Sequence, residues 1–219
     1  MKPYAAYAIG AALVDTEIQV TDAELGAMKV EKGMMTLVDQ ARQTDILAQL
    51  PDHLIRASHT SGGSAGNSMI AAALMGAPTY MSCKVAQDTD GDIYLADLEQ
   101  SGVAHGLNDQ RKEGVTGKCI VLITPDAERS LNTHLGISET LSADEVDETA
   151  IRDSEWVYLE GYLVTSPTGH AAALKTKALA DQYGVRTAVS FSDPGMVKFF
   201  RDNMAAMVEG GVEMVFCNE

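Results

Sequence analysis

The second half of the chain constrains the fold most. "EWVYLEGYLV" (155–164) reads as an apolar strand, and "SPTGHAAALKTKALADQYG" (166–184) follows it as the clearest helix of the sequence. Ser166 stands at the N-cap position, Pro167 at the first helical position and Gly184 at the end, the three punctuation marks that start and stop a helix. "VRTAVSFS" (185–192) is the next strand. Asp193-Pro194 then opens "GMVKFFRDNMAAMVEGG", and "VEMVF" (212–216) closes the run. Strand–helix–strand units with such short connections leave little choice but a parallel sheet with right-handed crossovers. The fold class is therefore α/β.

The first half alternates less regularly. "YAAYAIGAALVD" (4–15) reads as one buried strand, with "EIQVT" (17–21) continuing extended. "MMTLVD" (34–39) is a short strand, "QARQTDILAQL" (40–50) has helical apolar spacing, and "HLIRASHT" (53–60) alternates like a strand. "SAGNSMIAAALMGA" (64–77) is a small-residue helix. "PTYMSCKVA" (78–86) is strand-like, and "GDIYLADLEQSG" (91–102) is a helix closed by Gly102. "KCIVLITP" (118–125) is a β-branched strand that pairs naturally with "RSLNTHLG" (129–136), and "SADEVDETAIRDS" (142–154) reads as an acidic helix. The stretches from about 14–39 and 104–123 look hairpin-like and suit a small antiparallel flap on one edge of the core. The 219 residues read as a single domain.

Charge narrows the partners. The formal net charge is −15 and the pI about 4.6, so phosphate backbones and anionic membrane surfaces are repelled; no nucleic acid and no membrane partner is expected. The apolar run near the N-terminus is broken by Asp15 and is too short to span a bilayer. Cys83, Cys119 and Cys217 lack metal or disulfide spacing and sit in or beside apolar runs, which suits buried thiols in a reducing compartment; the expected location is cytoplasmic. His53, His59, His105, His134 and His170 show no ligand spacing.

Several stretches imitate motifs. "GVTGKC" (114–119) resembles a P-loop, but only two residues separate its glycines, Cys119 stands where Ser or Thr would bind Mg²⁺, and a strand follows; it reads as a β-turn. "DTDGDIYLADLE" (88–99) puts acids at calcium-loop positions, but Ile93 occupies the required glycine, so it reads as a turn feeding a helix. "SGGSAGN" (61–67) lies between a strand and a helix. Adjacent glycines there let a ligand approach backbone N–H groups, with Asn67 one turn in; a flexible turn explains them too. No G-x-G-x-x-G is present, which disfavours a dinucleotide site. Asp15 is an acid at the end of an apolar strand, suited to substrate hydroxyls or to capping a turn. Glu160 has a similar setting, and Arg129 is an isolated cation near the flap, solvated by default.

Together "GAALVDTEIQVTDAEL", "KGMMTLVD", "SGGSAGNSMIAAALMGA", "KVAQDTDGDIYLADLEQSGV", "TGKCIVLITPDAERSLNTHLG", "YLEGYLVTSP", "SFSDP" and "FCNE" resemble the ribokinase-like (PfkB-type) sugar and nucleoside kinases, in particular the adenosine-kinase-like branch. The resemblance implies a three-layer core with a mostly parallel sheet and a small β lid, and ATP- and Mg²⁺-dependent phosphorylation of a hydroxymethyl group on a sugar or nucleoside. Carried over by position, it implies Asp15, Gly62, Gly63 and Asn67 on the substrate, Met35 covering it, and Arg129 and Asn132 close to substrate or transferring phosphate. Glu160, Asp193 and Asn218 would sit toward the phosphate and Mg²⁺ end.

The family's N-x-x-E motif begins here at Asn218, and its G-A-G-D loop, which holds the general base and anion hole, does not occur in residues 1–219. The expectation is an incomplete domain: a substrate pocket and lid with little kinase activity, the base lying beyond Glu219, an exposed sheet edge prone to self-association, and a homodimer formed through either the lid or that edge. A catalytically silent binding or assembly module is the competing reading. Whether the ligand is adenosine, another nucleoside, ribose or a hexose is not legible, since the few aromatics cannot be located from sequence.

Overall fold

The computed structural model describes residues 2–50, 58–107 and 111–218. In chain order its strands are β1 (Tyr4–Ile9), β2 (Leu13–Gln19), β3 (Met35–Leu37), β4 (Ser58–Gly62), β5 (Thr79–Ser82), β6 (Val103–His105), β7 (Gly117–Ile123), β8 (Arg129–His134), β9 (Ser154–Glu160), β10 (Arg186–Ser190) and β11 (Met214–Phe216). Its helices are α1 (Asp22–Ala27), α2 (Gln40–Ala48), α3 (Ser64–Leu74), α4 (Thr89–Gln100), α5 (Glu148–Arg152), α6 (Pro167–Tyr183), α7 (Pro194–Phe199) and α8 (Arg201–Val208).

Two sheets divide the strands. The core sheet has six strands in the order β11-β10-β9-β1-β5-β6, and all of its pairings are parallel. The second sheet has five strands, β3-β8-β7-β2-β4, and is mixed: β2 runs antiparallel to β4 and parallel to β7, while β7 and β8 are antiparallel. β1 shows why the core has three layers. Tyr7 and Ile9 face α6, α7 and α8 through Ala172, Ala173, Ala180, Met196, Met204 and Met207, whereas Ala8 faces α3 and α4 through Ala65, Met69, Tyr94 and Leu98. Successive side chains of a strand alternate faces, so both faces of a central parallel strand must be apolar. Each large side chain buried this way contributes about 1.5–3 kcal/mol.

The lid is larger than the sequence suggests. β4 and β8 belong to it, and its outer face is covered by α1 and α2, which bury Ile18, Leu25, Ile46, Leu50, Ile120 and Leu122. The start of the 104–123 stretch belongs elsewhere: β6 is the edge strand of the core, and only β7 enters the lid. The single strand expected over 4–15 is two strands in two sheets, broken at Gly10–Ala12. A Cβ on Gly10 would lie 2.6 Å from Ala65 Cβ and from the Glu160 carboxyl group, so the chain passes there only as glycine. The strand expected over 53–60 is described from Ser58 onward; its earlier part and His53 lie outside the described residues.

Local punctuation accounts for most elements. Ser166 Oγ accepts from Gly169 N at 3.0 Å to start α6, and Gly184 ends it at φ 62. Asp193 Oδ1 accepts from Gly195 N at 2.7 Å to start α7. The single helix expected after Asp193 breaks at Phe200, whose φ of −126 lies outside the helical range, giving α7 and α8. The acidic helix expected over 142–154 is a short 3₁₀ turn (Ala143–Glu145) followed by α5. Ser142 and Asp147 each cap a fresh start, and Val146 between them is extended. The strand expected over 155–164 stops at Glu160 and tightens into a 3₁₀ turn, Gly161–Thr165.

The two false motifs hold each other. Asp88 caps α4 by accepting from Gly91 N at 2.8 Å, and it also accepts from Thr116 N at 2.8 Å and Thr116 Oγ1 at 2.5 Å. Among the described residues no cluster of His, Cys, Asp or Glu suits a metal ion, and no helix is long and apolar enough to cross a membrane.

Cys217 departs from expectation. Cys83 and Cys119 are buried, but Cys217 is exposed just past edge strand β11, whose Met214, Val215 and Phe216 are also exposed. Burial pushes the Cys83 and Cys119 thiols up to about 12, far from the reactive thiolate. A water-soluble disulfide reagent is therefore expected to label one thiol per native chain, at Cys217, and all three only after denaturation. Mass mapping that finds Cys119 labelled at a comparable rate would contradict this burial.

Candidate active site

The strand order locates the site before any side chain is considered. After β1 the core sheet grows to one side through β5 and β6, then to the other through β9, so the order reverses between β1 and β9. In open α/β sheets ligands bind beyond the strand ends at such a switch point. The lid stands over it, because the chain leaves β1 through Gly10–Ala12 directly into lid strand β2.

A cavity of about 250 Å³ occupies this position. Its polar groups are Asp15, Ser64, Asn67, Arg129, Glu160, Thr133, Thr165 and the Tyr162 hydroxyl, with backbone at Gly63. Leu13, Met35, Leu37, Leu131 and Leu135 form an aliphatic wall. Asp15 comes from β2, where it pairs with Cys119 of β7 and Thr60 of β4. Its carboxyl group lies over Gly62, where a Cβ would be 2.1 Å from Oδ1. Gly63 has φ +87, and a Cβ on it would come within 2.4 Å of the Ala11 carbonyl oxygen. The two glycines thus serve different purposes: Gly62 admits the carboxylate, and Gly63 makes the turn into α3.

Two acids in this cavity differ in what they touch. Asp15 makes no hydrogen bond with the described residues; burial pushes it up to about 6, opposed by the charge of Arg129 and reinforced by Glu17. Arg129 is itself paired to Glu17 at 2.7 Å, at the exposed rim. Glu160 is 1% exposed and fully engaged. It accepts from Ala11 N at 2.7 Å, Ser64 Oγ at 2.7 Å and Ala65 N at 2.8 Å. Burial raises its proton affinity, and those three bonds oppose the rise. Tyr162, unforeseen from sequence, has its phenol held above the usual range by burial and by the charges of Asp193 and Glu160.

A second cavity, about 720 Å³, adjoins along the ends of β10 and β11 and is lined by Ser192, Asp193, Lys198, Phe216, Cys217 and Asn218 among others. The residues expected at the phosphate and Mg²⁺ end are therefore divided: Asp193 and Asn218 meet here, while Arg129 and Glu160 lie with Asp15, Met35, Gly63 and Asn67. Asn132 is the correction. It is 2% exposed and is not among the residues lining the first cavity. Arg129, Leu131 and Thr133 of β8 line that cavity, and strand alternation turns the Asn132 side chain to the other face. The same alternation, applied from Arg129, would have found Leu131, Thr133 and Leu135 in the sequence.

The site is a switch-point cavity under a β lid, with a half-buried carboxylate that makes no hydrogen bond among the described residues. The sequence pattern of the pfkB family of carbohydrate kinases matches residues 30–219, and the chain belongs to that family. A probable sugar kinase from Rhizobium etli superimposes with a TM-score of 0.90 at 29% identity, covering 98% of this chain and 64% of that one. Adenosine kinase from Sinorhizobium meliloti gives 0.89 at 29% identity, covering 97% of this chain and 64% of that one. An ATP-dependent ribose-1-phosphate kinase from Halopiger xanaduensis is 32% identical over 164 residues, 73% of this chain and 50% of the relative. The fold is ribokinase-like, and the chain spans about half to two thirds of the length of these relatives.

Proposed function

We propose that this chain carries the acceptor-binding part of a kinase that transfers phosphate from ATP to a hydroxymethyl group of a sugar or nucleoside. The observation that carries this reading is Asp15: a half-buried carboxylate with no hydrogen bond among the described residues, lining the switch-point cavity together with Asn67. An ionised carboxylate accepts from two neighbouring hydroxyls, which supplies the partners that it lacks. The aliphatic wall favours a nucleoside over a free sugar, since ribose alone would leave Leu13, Met35, Leu37, Leu131 and Leu135 facing water.

Each group has a task in this reading. Asp15 and Asn67 orient the ring, the Gly62–Gly63 turn lets it approach the backbone, and Met35 and Leu37 of the lid exclude water that would compete as acceptor. Arg129 sits at the rim toward the transferring phosphate. Asp193, Asn218 and Lys198 suit a phosphate-bearing cofactor: Lys198 brings a cation to the lining of the second cavity, and Asp193 and Asn218 supply oxygens. Two such ligands fit Mg²⁺ only with phosphate and water completing its shell. ATP supplies the phosphoryl group.

With no G-A-G-D loop in residues 1–219, these residues on their own are expected to bind acceptor and turn it over slowly or not at all. A silent binding module shares that expectation for the short chain. Calorimetry with adenosine, inosine, ribose and ribose 1-phosphate, with a phosphate-transfer assay on this chain and on a full-length relative, tests both. Saturable binding of a nucleoside without turnover by the short chain is expected. Binding of none of the four sinks the acceptor-site reading, and turnover at the long protein's rate sinks the expectation of inactivity.

A further inference from the structure

Helix α3 opens without a cap of its own. Its N-cap residue is Gly63, and the tight approach to the Ala11 carbonyl leaves no room for a side chain there. By contrast α1, α2, α4, α5, α6 and α7 open on Thr21, Asp39, Asp88, Asp147, Ser166 and Asp193, each accepting a first-turn N–H through its side chain. A helix start leaves backbone donors that need an acceptor. At α3 the acceptor comes from β9: Glu160 Oε2 takes Ala65 N and Ser64 Oγ, while Oε1 takes Ala11 N in the crossing from core to lid. The carboxyl group packs on Gly10, where a Cβ would be 2.6 Å away.

We propose that Glu160 is a positioning residue, a helix cap supplied from a distant strand that ties the first turn of α3 to the core–lid crossing and so fixes Asn67 relative to Asp15. This rests on the reading of the cavity as the acceptor site. The three donors come from the two segments that carry the ligand-reading groups. The 10–12 crossing leads into β2 and Asp15, and the first turn of α3 carries Ser64 and leads to Asn67. Both carboxylate oxygens are already engaged, so the side chain acts on the ligand through these segments.

Glu160→Gln tests it, because the amide is isosteric but its NH₂ must face a donor on one side or the other. In the protein without ligand, hydrogen exchange at the Ala11 and Ala65 amides is expected to accelerate together, at least tenfold. Adenosine affinity is expected to fall at least tenfold, and its preference over the 2′-deoxy and 3′-deoxy analogues to shrink toward one. The pH midpoint of binding set by Asp15 stays in place. Ser64→Ala, which removes one of the three bonds, gives a smaller change of the same pattern and serves if Glu160→Gln does not fold. Unchanged exchange at either amide in Glu160→Gln overturns the proposal. Lost affinity with both amides still protected overturns it in favour of direct ligand contact. A wild-type chain that binds no nucleoside overturns the acceptor-site reading instead, and the exchange measurement still decides the role of Glu160.

Discussion

Asp15→Asn is expected to weaken nucleoside or sugar binding at least 100-fold and, at neutral pH, to raise the melting temperature. The two effects share a cause. Hydrogen bonds to a charged acceptor contribute about 1.5–3 kcal/mol each and every 1.4 kcal/mol is tenfold in affinity; the amide loses one acceptor outright, presents a donor in its place and leaves only a neutral oxygen for the second hydroxyl, a combined loss of about 3 kcal/mol or 100-fold. Without ligand the same carboxylate is a liability: its pKa in the fold is about 6 against an ordinary 3.8. A raised carboxylate pKa means that the native state holds its proton more tightly than the unfolded chain. Its contribution to stability is full below about pH 4, declines as pH rises to about 6, and is flat above. The gap corresponds to about 1–3 kcal/mol at neutral pH, recovered by the neutral amide. Binding has the opposite slope: affinity for a neutral nucleoside rises as pH passes through about 6, when the carboxylate ionises. Calorimetry from pH 5 to 8 checks this. Affinity independent of pH, or an Asp15→Asn variant within threefold of wild type, removes Asp15 from the site.

Gly63→Ala is expected to cost about 2–4 kcal/mol, from backbone strain at positive φ and from overpacking. For a domain of this size that lowers the melting temperature by about 5–15 °C. The contact matters as well as the angle, and Gly76 separates them. It has φ +92 at the other end of α3, but nothing lies within 4 Å of its Cβ position, whereas at Gly63 the Ala11 oxygen lies at 2.4 Å. Gly76→Ala should therefore lose only the strain share, about 1 kcal/mol, and keep full binding. Gly63→Ala should also lose binding, because pushing Ala11 away pulls on its bond to Glu160. Denaturant unfolding of both variants decides: equal losses would mean that the close approach at Ala11 contributes nothing.

Asp15, the Gly62–Gly63 turn and Asn67 could be singled out from sequence because each carries a local signal, an acid after an apolar strand or glycines ahead of a helix with an amide one turn in, whereas Met35 came only with the family resemblance. Tyr162 could not be singled out, and Leu131 and Leu135 become legible only once Arg129 is known to face the cavity. Tyr162 sits in what reads as a continuing strand, and only the 3₁₀ turn after Glu160 brings it to the cavity. Asn132 was misplaced because a polar residue beside Arg129 looks equally available until the face of β8 is known.

The sequence by itself determined the elements whose signals are local: α6 between Ser166 and Gly184, the start of α7 at Asp193-Pro194, and the parallel core implied by short strand–helix–strand units. Those signals act within a turn or two of the chain, through caps, left-handed glycines and side-chain period. Tertiary structure alone decided which sheet a strand joins and what a buried acid touches. β1 and β2 read as one strand until Gly10 separates them into two sheets. Glu160 reaches partners 95 and 149 residues away, pairings for which no local propensity exists. They form because a buried carboxylate needs donors and an uncapped helix needs an acceptor, and the fold brings the two together at the switch point.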